Sequence, residues 1–341
     1  MAATFNGKIS EVVLDFNSSN EWTWYGMTRP RSALISLEAT PYYHCIARCV
    51  RRSFFFGIDE KGRDLNYRKP WFLKRLKLLG EVFAINIPAY AVMSNHYHLV
   101  LHVDKARSES WSMEEVIRRW LQLYRGPEVV QRFILGECLA DEDLNVVQRL
   151  AETWRGRLYD ISWFMSCLNY YIALHANKED GCTGRFWEGR FISQALLDEA
   201  ALLSCMAYVD LNPVRAGIAQ GLEDSDYTSI QARIRQLKNR PEVGKPALMS
   251  FGENETDEQQ TTLPCRLKDY FELVDWSGRV QRADKKAPIN TKAPRLLTSL
   301  GMSPTQWKLL AKEIQKESIT MLNGLDKIVC VEKRSAILKS A

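Results

Sequence analysis

Apolar and polar positions follow two different periods early in the chain, and these periods predict a mixture of strands and helices. Residues 42–50 are rich in β-forming side chains and are expected to form a strand. A proline opens the segment 70–83, in which apolar residues recur at helical spacing. Residues 85–93 and 96–103 are again typical of strands, and the Ser-Asn pair between them favours a tight turn. The predicted order is strand, helix, strand, strand.

After a polar stretch, the middle of the chain again shows the periods of a helix, a strand and a further helix. Residues 104–157 are polar with helical periodicity, and we interpret them as a helical insertion. Residues 158–177 are typical of a long amphipathic helix, and residues 186–195 of a fourth strand. Asp198 is placed to cap a further helix, which Pro213 is expected to stop. The pattern predicts the α+β fold class.

Composition divides the chain into four parts. Residues 1–26 match nothing downstream in pattern, so that Met27 is a possible true start and the first segment an extension. Residues 27–235 are expected to form the catalytic domain. Residues 236–263 are predicted as a linker, because residues 241–263 are rich in Pro, Glu, Gln and Thr and have few apolar positions. Residues 264–341 are expected to form a small, mainly helical, basic C-terminal domain.

Two short helical patterns within that last part are joined by a glycine. Residues 296–300 precede Gly301, and residues 303–314 begin with a helix-capping serine. This arrangement fits a helix-turn-helix, although two ordinary packed helices are the favoured interpretation. The sequence leaves both interpretations open.

Positive charge is concentrated in two stretches, although the net charge of the chain is only +5. Between Arg48 and Lys77 there are ten Lys or Arg against three acids, and from Pro264 to the end there are fifteen against eight. Basic stripes attract phosphate groups by releasing counterions. A solvated protein surface gives the same composition, so charge alone does not establish nucleic-acid binding.

The eight cysteines show no C-x-x-C pair, which argues against a zinc cluster. The chain shows no secretory h-region at its start and no run of about eighteen apolar residues. We therefore expect reduced thiols in a cytoplasmic protein without a membrane partner.

An H-x-H sequence in the third predicted strand is the first candidate for chemistry. Side chains alternate faces along a strand, so His96 and His98 project from one face and Tyr97 from the other. Two neutral imidazoles on one face suit a divalent metal ion. His102 shares the face but lies about 13 Å farther along, at ~3.3 Å per residue, and is too distant to join them. His44, in the first predicted strand, is interpreted as structural.

A tyrosine and an amide side chain supply the second candidate. Tyr208 and Asn212 are four residues apart in a predicted helix and therefore lie on one helix face. A tyrosine hydroxyl can attack a phosphodiester, and an amide oxygen can complete a metal shell. A metal held by His96, His98 and Asn212 would polarise the phosphate that Tyr208 attacks. Neither the H-x-H sequence nor the tyrosine and amide pair is strong evidence for this chemistry by itself, whereas the combination of the two is rare.

The segments that carry these residues resemble a known enzyme family. MSNHYHLVLHV resembles the "HUH" motif of the single-tyrosine transposases of the insertion sequence 200-like group. GRFWEGRFISQALLDEAALLSCMAYVDLNPVRAGI is similar to the tyrosine-helix region of their REP-associated relatives. The resemblance covers roughly residues 27–235. The sequence departs from the motif at Tyr97, where a bulky apolar residue is usual.

This resemblance implies a ferredoxin-like core with an antiparallel sheet, Mg²⁺ or Mn²⁺ as cofactor, and single-stranded or hairpin DNA as substrate. It implies Tyr208 as the nucleophile of a 5′-phosphotyrosine intermediate, and His96, His98 and Asn212 as metal ligands. We expect a bacterial, nucleoid-associated transposase that acts as a monomer or homodimer. The basic run from Arg48 to Lys77 is expected to lie beside the H-x-H strand. The candidate DNA-binding residues are Arg48, Arg51, Arg52, Lys74, Arg190 and Arg215.

Three alternatives stay open at this point. A domesticated protein would bind DNA hairpins without cutting them. A relaxase or replication-initiator nuclease would use the same H-x-H metal ligands and the same tyrosine nucleophile. A metallohydrolase would use water, rather than tyrosine, as the attacking group.

Overall fold

A computed structural model describes residues 35–50, 56–58, 62–238, 246–252, 261–283 and 293–322. The extension predicted for residues 1–26, with the alternative start at Met27, lies outside the described residues. The described residues show no helix long and apolar enough to cross a membrane.

Four antiparallel strands form one sheet. They are β1 (Tyr42–Arg48), β2 (Ile85–Val92), β3 (His96–Val103) and β4 (Ile192–Ala195). The strand order is β2-β3-β1-β4, with every neighbouring pair antiparallel.

The helices follow the predicted order with small shifts at their ends. They are α1 (Lys69–Val82), α2 (Lys105–Ser110), α3 (Met113–Leu121), α4 (Glu128–Ile134), α5 (Asp141–Arg157), α6 (Ile161–Glu179), α7 (Glu199–Asp210), α8 (Asn212–Arg215), α9 (Ser229–Leu237), α10 (Leu267–Ala283), α11 (Arg295–Ser299) and α12 (Pro304–Leu322). A short 3-10 helix, Asn66–Arg68, leads into α1. Because α1 joins β1 to β2 and α6 precedes β4, the core has the β-α-β-β-α-β order of ferredoxin-like folds. The predicted α+β fold class is confirmed.

The two faces of the sheet are covered by different helices. Tyr97 and Leu99 of β3 belong to the hydrophobic cluster that contains the inner residues of α1 and α6, among them Phe72 and Phe164. Val100 belongs to a second cluster, which contains the inner residues of α7. Both faces are therefore buried, and alternate residues of one strand face different surroundings.

The predicted insertion is helical and packs beside α6. The indole rings of Trp120 in α3 and Trp154 in α5 stack with centroids 5.4 Å apart and an interplanar angle of 9°. The Arg157 guanidinium carbon lies 4.4 Å from the ring centroid of Trp163 in α6. Aromatic and cation–π contacts thus attach the insertion to the core on the α1 and α6 side.

The C-terminal helices pack on α7 and share its hydrophobic cluster. Tyr270 of α10 and Trp307 of α12 are buried in that cluster together with Met206 of α7. The Trp307 indole Nε1 donates a hydrogen bond to Ser277 Oγ at 3.0 Å. The two short helical patterns of the sequence are α11 and α12, and Gly301 between them has a positive φ of 64°. The proposed domain boundaries at 236 and 264 stay a prediction.

Two predicted elements differ in extent from the observed ones. The fourth strand was expected to span 186–195, but only Ile192–Ala195 pairs as a strand, and Trp187 makes a single bridge to Cys49. The prediction was too long because Gly189 interrupts the β-forming residues. The tyrosine helix ends at Asp210, and Pro213 lies in the first turn of α8, where a missing N–H costs nothing.

Candidate active site

The H-x-H residues occupy the start of β3, on the sheet face that α7 covers. The rings of His96 and His98 are perpendicular to one another, with centroids 4.9 Å apart. They point the same way because they are two residues apart in a strand, and Tyr97 between them is buried against Phe72 on the other face. The pair is therefore presented to the helix that carries the predicted tyrosine.

Tyr208 and Asn212 meet this pair from the opposite layer. Asp198 Oδ1 accepts a hydrogen bond from Ala201 N at 2.7 Å and fixes the start of α7 as predicted. The Tyr208 ring lies 5.5 Å from the His98 ring, edge to face at 88°. Asn212 Nδ2 lies 3.2 Å from His98 Nε2. Two pairs of residues that are far apart in sequence thus converge at one place.

The helix break after Asp210 does not separate Tyr208 from Asn212. Leu211, which joins α7 to α8, has αR geometry with φ −85° and ψ −4°. The backbone therefore continues close to its helical path, and residues four apart stay on one face. The predicted spacing relation between the tyrosine and the amide is preserved in the structure.

Hydrogen bonds define the protonation of His96. Its Nδ1 lies 2.7 Å from Asn95 Oδ1. An amide oxygen only accepts hydrogen bonds, so Nδ1 of His96 is the donor in this pair. In a neutral imidazole the other nitrogen, Nε2, then carries the lone pair that a metal ion binds.

Burial keeps both imidazoles in their neutral form. Burial lowers the pKa of His96 to about 4, and the nearby positive charge of Arg48 acts in the same direction. Burial also lowers the pKa of His98 well below its ordinary value, with His96, His44 and Arg215 contributing in that order. Both side chains are neutral at neutral pH, which is the form able to ligate metal.

A positive charge lies directly beside the tyrosine. The guanidinium carbon of Arg215 is 5.0 Å from the ring centroid of Tyr208, which is only 7 % exposed. Burial lowers the pKa of Arg215 and its interaction with Tyr208 raises it, and an arginine stays charged in either case. Within the described part of the chain, Arg215 Nη1 is buried without a hydrogen-bond partner. A phosphate oxygen would satisfy that group.

The other predicted DNA-binding residues are dispersed. Arg48 is the register partner of His96 and forms an ion pair with Glu188 at 3.7 Å, so it borders the site. Arg190 is exposed in the segment that precedes β4. Lys74 is exposed on α1, which covers the opposite face of the sheet. The remaining two predicted residues, Arg51 and Arg52, lie outside the described residues.

The placement of Lys74 corrects one expectation. The basic run from Arg48 to Lys77 does not lie as a whole beside the H-x-H strand, because α1 crosses to the other side of the sheet. Only the Arg48 end borders the site among the described residues. A contact between Lys74 and DNA at this site is therefore not expected from the fold.

His44 belongs to the candidate site, whereas we interpreted it as structural from the sequence. Its Nε2 lies 3.0 Å from His98 Nδ1, and the two rings stack with centroids 5.2 Å apart. Burial lowers the pKa of His44 to about 4, and the nearby Gln194 side chain opposes the shift. The strand pairing that creates this contact is not visible in a single sequence.

Asp210 was also missed, and it anchors the tyrosine helix. Its Oδ1 accepts hydrogen bonds from Ser229 Oγ at 2.5 Å and Ile230 N at 2.9 Å, and its Oδ2 accepts one from Tyr270 OH at 2.6 Å. Burial raises the pKa of this carboxyl, while the hydrogen bonds from Ser229 and Tyr270 and the charge of Arg233 oppose the shift. The network ties α7 to α9 and α10 between Tyr208 and Asn212.

The donor atoms present are compatible with one divalent ion. The described residues contain no cluster of three or more His, Cys, Asp or Glu side chains suited to a metal. The candidate set is instead two imidazole nitrogens and the Asn212 amide, whose oxygen would reach a metal only if the amide group rotated, because Nδ2 faces His98 Nε2 at 3.2 Å. Imidazole ligands favour Mn²⁺ over Mg²⁺ in affinity, so the residues fit Mn²⁺ better than Mg²⁺.

Comparison with known proteins gives one broad likeness. No family model matches the chain, and no curated protein matches it. A solved structure of the REP-associated tyrosine transposase bound to a REP hairpin is similar, with a TM-score of 0.36 and 14% sequence identity. The match covers 67% of this chain and 98% of that chain. At this degree of similarity, function has to be inferred from the geometry of the site itself.

Proposed function

We propose that the chain cleaves and transfers single-stranded DNA with Tyr208 as nucleophile and a divalent metal ion as cofactor. The observation that carries the proposal is the convergence of Tyr208 with His98 and Asn212. A tyrosine beside two neutral imidazoles, an amide and an unsatisfied guanidinium is suited to phosphodiester chemistry. A tyrosine that only filled the core would not need this polar surrounding.

The covalent step conserves the energy of the broken phosphodiester bond in a new phosphotyrosine bond. The Tyr208 hydroxyl oxygen bonds to phosphorus as the bond between phosphorus and the 3′ oxygen breaks. The phenolic proton is lost to solvent, and the leaving oxygen takes up a proton to become a 3′-hydroxyl. The product is a 5′-phosphotyrosine, and attack by another 3′-hydroxyl on this ester rejoins the DNA elsewhere.

The residues that would hold the metal are His96, His98 and Asn212. A bound divalent ion would polarise the scissile phosphate and offset the charge that develops on it. His96 and His98 would hold the ion through Nε2, the nitrogen that their other hydrogen bonds leave with a lone pair. Asn212 would contribute its amide oxygen after the amide group rotates away from its present contact.

The charged side chains around the site support a nucleic-acid substrate. Arg215 next to Tyr208 offers a buried donor to a phosphate oxygen, and Arg48 extends positive charge along the edge beside His96. Hairpin DNA with a single-stranded flank is the substrate that the sequence resemblance implies. Action as a monomer or homodimer within a bacterial transposition system belongs to the same proposal.

The experiment is a trapping assay with a matched tyrosine control. A pool of hairpin oligonucleotides with randomised single-stranded flanks, labelled at the 3′ end, is incubated with Mn²⁺ and protein. Wild type and Tyr90→Phe are expected to give a labelled protein adduct on a denaturing gel, whereas Tyr208→Phe gives none. Tyr90 is the matched control because its hydroxyl is buried without a hydrogen-bond partner in the described structure.

The alternatives predict other results in the same assay. Wild-type nicking without an adduct, retained in Tyr208→Phe, identifies a metallohydrolase in which water attacks. Tight hairpin binding by wild type without any nicking identifies a protein that binds hairpins and does not cut. Either result contradicts the proposed tyrosine chemistry.

A further inference from the structure

His44 and His98 form a buried contact between two neighbouring strands. The β1–β3 register pairs His98 with Ile46, which places His44 diagonally next to His98 on the face that α7 covers. Both histidines are almost completely buried, at 1 % and 0 % exposure. His44 Nε2 and His98 Nδ1 are 3.0 Å apart, a full hydrogen-bond contact.

The hydrogen bonds around His98 set the direction of this contact. Asn212 Nδ2 can only donate, so His98 Nε2, 3.2 Å away, is an acceptor and carries no proton. A neutral imidazole has one N–H, which must then be on Nδ1 of His98. That N–H donates to His44 Nε2. His44 in turn carries its own proton on Nδ1, which is buried without a hydrogen-bond partner among the described residues.

His96 has the same protonation through a different partner. Asn95 Oδ1 accepts from its Nδ1, and this leaves the lone pair on Nε2. Each member of the H-x-H pair is therefore held by a neighbour on its Nδ1 side. The partner of His96 is the preceding residue in the chain, whereas the partner of His98 comes from another strand.

We propose that His44 is a positioning residue that holds His98 in the Nδ1–H tautomer, with its Nε2 lone pair directed at Tyr208 and Asn212. The tautomer follows from the hydrogen bonds alone, and its use in metal binding rests on the proposed function. Removing His44 leaves a buried Nδ1–H of His98 unpaired, which favours movement of the proton to Nε2 or rotation of the ring. Either change removes the lone pair from the place where the metal would bind.

The first test needs only the metal-free wild-type protein. The sequence has five histidines, so each ring can be assigned in a long-range nitrogen–proton correlation spectrum at neutral pH. The expected spectrum shows His98 protonated on Nδ1 and unprotonated on Nε2. A His98 protonated on Nε2 overturns the proposal, whatever the protein does to DNA.

The second test compares three variants in the same spectrum and in Mn²⁺ binding followed by electron paramagnetic resonance. In His44→Leu we expect the His98 tautomer to change and Mn²⁺ affinity to fall by about tenfold or more. His44→Gln, whose amide oxygen can accept from Nδ1, is expected to restore part of both. His102→Leu is the matched control, since His102 is another buried histidine on the same face of β3 and bonds to Asn86 instead.

The outcomes separate this inference from the proposed function. An unchanged His98 tautomer and unchanged Mn²⁺ affinity in a folded His44→Leu variant overturn the positioning role. If the His44→Leu chain does not fold, the wild-type spectrum and the His44→Gln variant still decide the question. A wild type with the expected tautomer but no Mn²⁺ binding supports the hydrogen-bond assignment and contradicts the metal in the proposed function.

Discussion

The same strands present different kinds of side chain on the two faces of the sheet. Toward α1 and α6, β3 presents Tyr97, Leu99 and Leu101, which are buried in an apolar cluster. Toward α7, the same strand presents His96 and His98, which meet polar and charged side chains. Because alternate residues of one strand serve the two faces, the apolar core and the candidate site are separated within eight consecutive residues.

Burial alone does not distinguish the apolar core from the candidate site. Leu99 and His98 are equally inaccessible, each at 0 % exposure. What differs is the set of hydrogen-bond partners, since His98 contacts both His44 and Asn212. Substitutions on the face toward α7 should therefore reduce DNA cleavage, whereas substitutions on the face toward α1 and α6 should reduce stability.

The largest effect is expected on the α7 face. His98→Ala should lower DNA cleavage on the order of a thousandfold, because several kcal/mol of charge stabilisation depend on the metal ligands. Mn²⁺ binding, measured by calorimetry, should be lost in parallel, and circular dichroism should show an intact fold. The hypothesis of a metal site fails if His98→Ala binds Mn²⁺ and cuts DNA as the wild type does.

The matching change on the α1 and α6 face should act on stability. Leu99→Ala should lower the free energy of unfolding by about 2–5 kcal/mol, as is usual for a large side chain removed from a closely packed core. Urea denaturation measures this loss. Cleavage per folded molecule should stay near the wild-type value, and a selective loss of cleavage in a stable Leu99→Ala variant would show that the two faces are not separate.

A smaller effect is expected where the C-terminal helices hold α7. Tyr270→Phe leaves Asp210 Oδ2 without its hydrogen-bond donor and should cost about 1–3 kcal/mol of unfolding free energy. Denaturation curves measure the cost, and Tyr90→Phe, which removes an unpaired hydroxyl, serves as control. Equal stability of the two variants contradicts the anchoring role of the Asp210 network.

The smallest effect concerns salt dependence. If Arg48 contacts one phosphate, Arg48→Ala should reduce the slope of log affinity against log salt by about 0.7–0.9. Lys74→Ala, on the opposite face, should leave the slope unchanged. Fluorescence anisotropy with a labelled hairpin measures both slopes. A reduced slope in Lys74→Ala alone would place the DNA on the α1 and α6 side.

Much of the fold was predictable because its signals are local. The alternation of residues 96–103, the helical spacing after Pro70 and the capping position of Asp198 depend on neighbouring residues, and each corresponds to an observed element. Element ends were less predictable. Phe186, Trp187 and Phe191 are β-forming residues, yet residues 186–191 make only a single bridge because Gly189 interrupts them.

Part of the candidate site was also predictable from spacing alone. The period of a strand puts His96 and His98 on one face, and the period of a helix does the same for Tyr208 and Asn212. Their assignment as catalytic and metal-binding residues stays a prediction. The structure adds that the two pairs face each other, with Asn212 Nδ2 only 3.2 Å from His98 Nε2.

Which side chains share a face can be read from the sequence, since it follows from the backbone period within one element. Which faces meet depends instead on tertiary packing. The β1–β3 register brought His44 to His98, and the packing of α10 on α7 brought Tyr270 to Asp210. These contacts join residues 54 and 60 positions apart, and such pairing depends on how whole layers pack rather than on any local pattern of residues.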